Sequence, residues 1–140
     1  MVARGGFSKL LIIKGEKIMH DKELNILVID DNEGIRDSLK TYLTQLGHTV
    51  ALATNAQEAL TKFDAGHFDV VITDSSLPLG PETGVGAKIA KAIKLQSPDV
   101  PVLMVSGDQK DKPENVDALL AKPFRLEAIS AFIEQSTSPK

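Results

Sequence analysis

The chain has 140 residues, enough for one domain with an ordinary core. Its 16 basic and 19 acidic residues leave a net charge of −3, which supplies no electrostatic footprint for nucleic acid or a membrane surface. Cysteine is absent, so disulfides and thiolate metal sites are excluded, and no apolar run approaches the ~18 residues of a membrane span. The expected setting is the reducing cytoplasm, with neither nucleic acid nor membrane as a partner.

Residues 1–20 read as an N-terminal extension, disordered or an artefact of the gene start, with Met19 available as a second start. Against disorder stands Leu10–Ile13, four apolar residues in a row that resist full exposure to water. The run is short for a signal-peptide core, and no small-residue cleavage site follows it. The domain is expected over residues 21–136, with a frayed tail at 137–140.

Within the domain, strand and helix patterns alternate. Leu24–Asp30 is apolar and β-branched, as expected of a strand buried on both faces. Ile35, Leu39, Tyr42, Leu43 and Leu46 follow at helical spacing, with Asp31 or Asn32 suited to cap the start and Gly47 to stop the end. His48–Ala53 reads as an edge strand. Thr54 and Gln57 suggest a capping box for a helix whose inward face is Ala59, Leu60 and Phe63. Phe68–Asp74 is the third strand, followed by a turn-rich loop through Leu77, Pro78, Gly80 and Pro81. A third helix is expected from Gly84 to Leu95, a fourth strand at Val102–Ser106 and a fifth at Ala118–Ala121. A last helix carries Leu126, Ile129, Phe132 and Ile133 inward.

This alternation predicts an α/β fold, a doubly wound five-stranded parallel sheet with helices on both faces. Its functional crevice belongs at the carboxyl ends of the strands. Only residues 107–117 connect the last two strands, whereas a parallel crossover needs about a dozen residues or more. Gly107, Pro113 and the short length predict a shortened or missing fourth helix, reduced to a turn near Glu114–Asp117 or a loop.

Four of the strands end on residues with chemistry: Asp30-Asp31, Asp74, Ser106 and Lys122-Pro123. Taken singly, each has an ordinary explanation as a helix cap, a turn residue or a solvated side chain. Together at one sheet edge they form a cluster that is costly to leave uncompensated. Two carboxylates ~4 Å apart repel by about 4 kcal/mol at an effective dielectric of 20, and Lys122 supplies one positive charge for three ionised groups. A hard divalent cation with oxygen ligands fits the remainder, Mg²⁺ above all, with Mn²⁺ as its substitute. The residues alone therefore suggest a carboxylate–Mg²⁺ site able to accept or hold phosphate.

Leu27-Val28-Ile29-Asp30-Asp31, Asp69–Asp74 with Leu77-Pro78, Val105-Ser106-Gly107 and Lys122-Pro123-Phe124 resemble the receiver domain of bacterial two-component response regulators. The match covers about residues 24–135 in the right order. It implies a flavodoxin-like strand order, 2-1-3-4-5. It also implies that Asp74 is the nucleophile taking a phosphoryl group from a phosphohistidine. Asp31 and Asp74 would ligate Mg²⁺ directly, Asp30 through water, and the backbone carbonyl of Ser76 would complete the protein ligands. Lys122 would pair with one phosphoryl oxygen, across a cis bond to Pro123, and Ser106 would bond another as the switch hydroxyl. The implied partners are a histidine kinase or histidine phosphotransfer protein and a downstream protein target. The implied chemistry is confined to the chain's own phosphotransfer and dephosphorylation. No output domain fits in the remaining residues, so a stand-alone receiver is expected, acting by protein contact or onward phosphotransfer.

Three features depart from the pattern. The aromatic residue common three positions before the lysine is Leu119 here, the 107–117 connection is short, and the Pro78–Gly84 loop is long. Leu119 and the short connection motivate a second hypothesis, a constitutive receiver-fold binding module with weak or uncoupled switching. An aspartate-nucleophile phosphatase fits poorly, because Ser76 stands where such enzymes place a second aspartate. Gly80 to Lys88 fails as a P-loop, and His20, His48 and His67 lack metal-ligand spacing.

Overall fold

The computed structural model describes residues 10–13, 17–20, 23–77, 84–107 and 111–137. In the N-terminal extension, β1 (Leu10–Ile13) and β2 (Lys17–His20) pair antiparallel, with Leu10 opposite His20 and Ile13 opposite Lys17. This two-stranded sheet is separate from the main one. The part of the extension before Leu10, the Pro78–Thr83 segment of the long loop and the last three residues of the tail lie outside the described residues.

The main domain alternates β3 (Asn25–Ile29), α1 (Glu33–Gln45), β4 (Thr49–Ala53), α2 (Ala56–Ala65), β5 (Val70–Asp74), α3 (Val85–Gln96), β6 (Val102–Ser106), β7 (Ala118–Ala121) and α4 (Leu126–Thr137). The five strands form one parallel sheet in the order β4-β3-β5-β6-β7, the expected 2-1-3-4-5 when they are counted in chain order.

Side-chain alternation along the strands divides the core in two. Leu27, Ile29, Val71, Val102 and Met104 face α2 and α3, where they meet Ala59, Phe63, Ile89 and Ile93. Ile26, Val28, Val70, Ile72, Leu103 and Val105 face the other way, against Leu39 and Leu43 of α1 and Ile129 and Ile133 of α4. β3, β5 and β6 are buried on both faces, which is why their sequences read as unbroken apolar runs rather than alternating ones.

The helix starts refine the sequence expectations. Asn32, not Asp31, caps α1, its side chain accepting the Ile35 N–H at 2.9 Å. The capping box of α2 begins one residue later than Thr54–Gln57. Asn55 adopts the extended cap conformation and accepts from Glu58 N at 2.8 Å, while the Glu58 carboxylate reaches back to Thr54 N at 2.7 Å and Thr54 Oγ1 at 3.0 Å. A carboxylate makes stronger charge-assisted bonds than the neutral Gln57 amide, and the shift follows from that. Helix α4 continues through Thr137, where the Ser136 and Thr137 hydroxyls donate to the carbonyls of Phe132 and Ile133 at 2.7 and 2.6 Å.

Among the described residues, no helix lies between β6 and β7. A single turn stands there, closed by Val116 N donating to Pro113 O at 3.3 Å. Other contacts pin the short connection. Val116 is buried in the core on the α2/α3 face, and Lys112 Nζ donates to its carbonyl at 2.8 Å. Asp117 accepts from both Lys94 Nζ and Val102 N at 2.8 Å. His48 is a core histidine at the far edge of the sheet, with Nδ1 accepting from Leu24 N at 3.2 Å.

Candidate functional site

The carboxyl ends of β3, β5 and β7 bring the predicted charged residues together. Asp30 follows β3 and is 1% exposed; its Oδ1 accepts from Asn32 N at 2.9 Å, so the turn into α1 orients the carboxylate. Asp74 ends β5 and is 6% exposed. Lys122 follows β7, its backbone N–H donating to Ser106 O at 2.7 Å and its peptide bond to Pro123 being cis. The Lys122 Nζ stands 3.4 Å from Asp30 Oδ2 and 3.3 Å from Asp74 Oδ2, bridging the two buried carboxylates. Asp31 is exposed at the rim, and one oxygen from each of Asp30, Asp31 and Asp74 lies within 4.8 Å of the others.

Burial pushes the Asp74 carboxyl above its ordinary range, and the nearby charge of Asp30 adds to the rise. Lys122 and the Ser76 N–H, 3.5 Å from Asp74 Oδ1, oppose it without reversing it. One ammonium thus leaves the cluster under-neutralised. The Arg36 guanidinium lies close by but spends a donor on the Asp30 backbone carbonyl at 2.9 Å rather than on a carboxylate. An all-oxygen set with surplus negative charge and one exposed member suits a hard, partly hydrated divalent cation. Next to Lys122, an open groove of about 660 Å³ runs between the first turn of α1 and the Pro123-Phe124 segment.

Ser106 ends β6, in phase with the residues that face α2 and α3. It is 1% exposed, and its Oγ accepts a 2.8 Å hydrogen bond from Ser75 Oγ. Ser76 is exposed immediately beyond. Two residues that sequence reasoning passed over hold this edge in shape. Ser75, also buried, donates its N–H to Val105 O at 2.9 Å. Gly86, in the first turn of α3, packs so closely on the end of β5 that an added Cβ would stand 2.2 Å from the Asp74 carbonyl oxygen. A glycine inside a helix costs stability relative to alanine, and that cost was the signal that could have marked it.

The family model for the response regulator receiver domain matches residues 26–134, most of the chain. The chain belongs to this family. A probable transcriptional regulator ycf27 from Cyanidium caldarium is 31% identical over 125 residues, covering 85% of this chain and 48% of that protein. Among solved structures, the receiver resembles the Vibrio cholerae chemotaxis response regulator CheY4, with a TM-score of 0.72, 28% identity, and coverage of 82% of this chain and 99% of that one. It also resembles the Thermotoga maritima response regulator TrrA in complex with Mg²⁺-BeF, with a TM-score of 0.71, 26% identity, and coverage of 81% and 98%. The chain spans at most about half the length of the curated relatives it matches first. Membership makes it a two-component signalling module, and its acidic cluster has the donor chemistry of a Mg²⁺ site. Among the described residues, no helix is long and apolar enough to cross a membrane.

Proposed function

We propose that Asp74 accepts a phosphoryl group from a phosphohistidine on a histidine kinase or histidine phosphotransfer protein. The observation that carries this reading is the bridging of Asp30 and Asp74 by Lys122, which also lines an open groove, beside an exposed third carboxylate. An Asp74 carboxylate oxygen attacks phosphorus and the donor's P–N bond breaks. The bonding electrons return to the imidazole nitrogen, and an acyl phosphate remains on Asp74. Burial and Asp30 make the Asp74 carboxylate more basic than an exposed one, which favours attack. Lys122 orients it and afterwards pairs with a phosphoryl oxygen, while Ser106 bonds another. These are electrostatic and positioning tasks, as phosphoryl transfer requires.

Asp31 and Asp74 would hold Mg²⁺, with Asp30 acting through water and the Ser76 backbone carbonyl completing the set. Bound there, the cation supplies neutralising charge for the phosphoryl oxygens. Mn²⁺ has the same hard-oxygen preference and would serve in its place. The compartment proposed is the cytoplasm, and the output proposed is contact with a protein target or onward phosphotransfer.

The test is incubation with Mg²⁺ and a small phosphodonor, followed by intact mass. The wild type should gain one phosphoryl group, and Asp74→Asn should not. A wild type that gains none, or an Asp74→Asn that gains as much, contradicts the reading.

One observation favours a second reading, a receiver fold that binds its partner constitutively. Leu119 already packs against the core on the α2/α3 face, leaving no aromatic lever at that position. In that case a phosphoryl mimic with Mg²⁺ shifts NMR signals near Asp74 and leaves those of residues 107–121 unmoved. Broad shifts through that connection exclude it.

A further inference from the structure

The functional groups occupy opposite faces of the sheet. Asp74 is in phase with Val70 and Ile72, which face α1 and α4, and Lys122 is in phase with Ala118 and Leu120, which pack on the same side. Ser106 is in phase with Val102 and Met104, which face α2 and α3. Register explains why Ser106 is held there. Asp74 pairs with Val105, so the next residue, Ser75, comes level with Ser106 on the neighbouring strand. The Ser75 N–H donates to Val105 O at 2.9 Å, and its hydroxyl donates to Ser106 Oγ at 2.8 Å in a buried setting.

We propose that Ser75 is a positioning residue that restrains the switch: its hydroxyl retains Ser106 on the α2/α3 face, away from the position of the phosphoryl group. This rests on the phosphoacceptor reading above. To reach a phosphoryl oxygen on Asp74, the Ser106 hydroxyl must turn across the sheet edge, and the 2.8 Å bond cannot survive that turn. Ser75 therefore weights the equilibrium toward the resting arrangement. Because the bond joins two neutral hydroxyls, its net worth is modest, and removing it should shift that equilibrium roughly fivefold.

The experiment titrates the full chain with fluoroberyllate in the presence of Mg²⁺, reading affinity and backbone amide signals by NMR. It compares wild type, Ser75→Ala, Ser106→Ala and the double variant. Ser75→Ala should bind fluoroberyllate about fivefold more tightly than wild type. Before any mimic is added, its Ser106 and Gly107 signals should already lie part-way along the line joining the wild type's free and bound positions. In the Ser106→Ala background the Ser75 substitution should leave affinity unchanged, since there is nothing left to restrain. Unchanged or weaker binding by Ser75→Ala overturns the proposal while leaving the phosphoacceptor reading intact. A tightening that persists without the Ser106 hydroxyl does the same. A wild type that binds no fluoroberyllate overturns both.

Discussion

Replacing Asp74 by Asn removes the charge from the most crowded carboxylate while keeping its shape. In divalent-free buffer at neutral pH the variant should be more stable than the wild type, although a native ion pair is lost. Asp30, with an oxygen within 4.8 Å, opposes ionised Asp74 by about 3.5 kcal/mol at an effective dielectric of 20. Lys122, at 3.3 Å, favours it by about 5 kcal/mol on the same scale. The two nearly cancel, so burial decides the sign, and burial is the largest cause of the raised Asp74 pKa. The variant keeps an amide oxygen for the Ser76 N–H, and Lys122 keeps Asp30.

The expected gain for Asp74→Asn is about 1–2 kcal/mol, or roughly 3–8 °C in Tm for a domain of this size. A raised native pKa means that Asp74 contributes most favourably when protonated, below the ordinary carboxylate range. That contribution is lost as pH rises through the native value. The gap between variant and wild type should therefore open from about pH 4 upward and close below it. Urea unfolding in EDTA across that range reads it, and added Mg²⁺ should narrow it by stabilising the wild type selectively. A variant less stable than wild type at neutral pH, or a gap of equal size in acid, would refute the charge argument.

Three further outcomes follow from the same geometry. Lys122→Met leaves Asp30 and Asp74 buried without their shared ammonium and should cost about 3–5 kcal/mol in EDTA, part of it recovered with Mg²⁺; urea midpoints with and without the cation decide it. Gly86→Ala drives a Cβ into the Asp74 carbonyl oxygen, so a loss of about 2–4 kcal/mol and of phosphorylation is expected, and near-native values in both assays would show that α3 can shift freely. Asn55→Ala removes the cap of α2, two residues past the end of β4, and because the Asn55 side chain bonds Thr54 and Glu58 rather than the charged residues of the site it should lower stability by about 1 kcal/mol while phosphorylation persists, measured by thermal melts alongside intact mass.

The charged half of the site was legible because it depends on quantities the sequence carries directly. Asp30, Asp74 and Lys122 each follow an apolar run whose length and composition identify a buried strand, and parallel strands end at a common edge. That no helix stands between β6 and β7 among the described residues was legible from the short 107–117 connection and its Gly107 and Pro113. The rest depends on lateral register. The Ser75–Ser106 bond exists because β5 and β6 pair Asp74 with Val105, a relation between residues 31 apart in sequence that no local pattern encodes. A glycine inside a helix could have marked Gly86, but its partner, the Asp74 carbonyl, emerges only once α3 is docked on the sheet. The cap of α2 slipped by one residue because Thr54 and Asn55 are both good caps, and the carboxylate of Glu58 decides between them only in three dimensions.

The acyl phosphate is proposed to form on Asp74 and on no neighbouring carboxylate. Borohydride reduction of the phosphorylated chain, followed by peptide mass spectrometry, tests it most directly, because hydride converts an acyl phosphate to an alcohol and leaves free carboxylates untouched. Asp74 should be reduced to homoserine, dependent on Mg²⁺ and on prior phosphorylation. Reduction at Asp30 or Asp31 instead, or none in a chain that has gained phosphate, would contradict it.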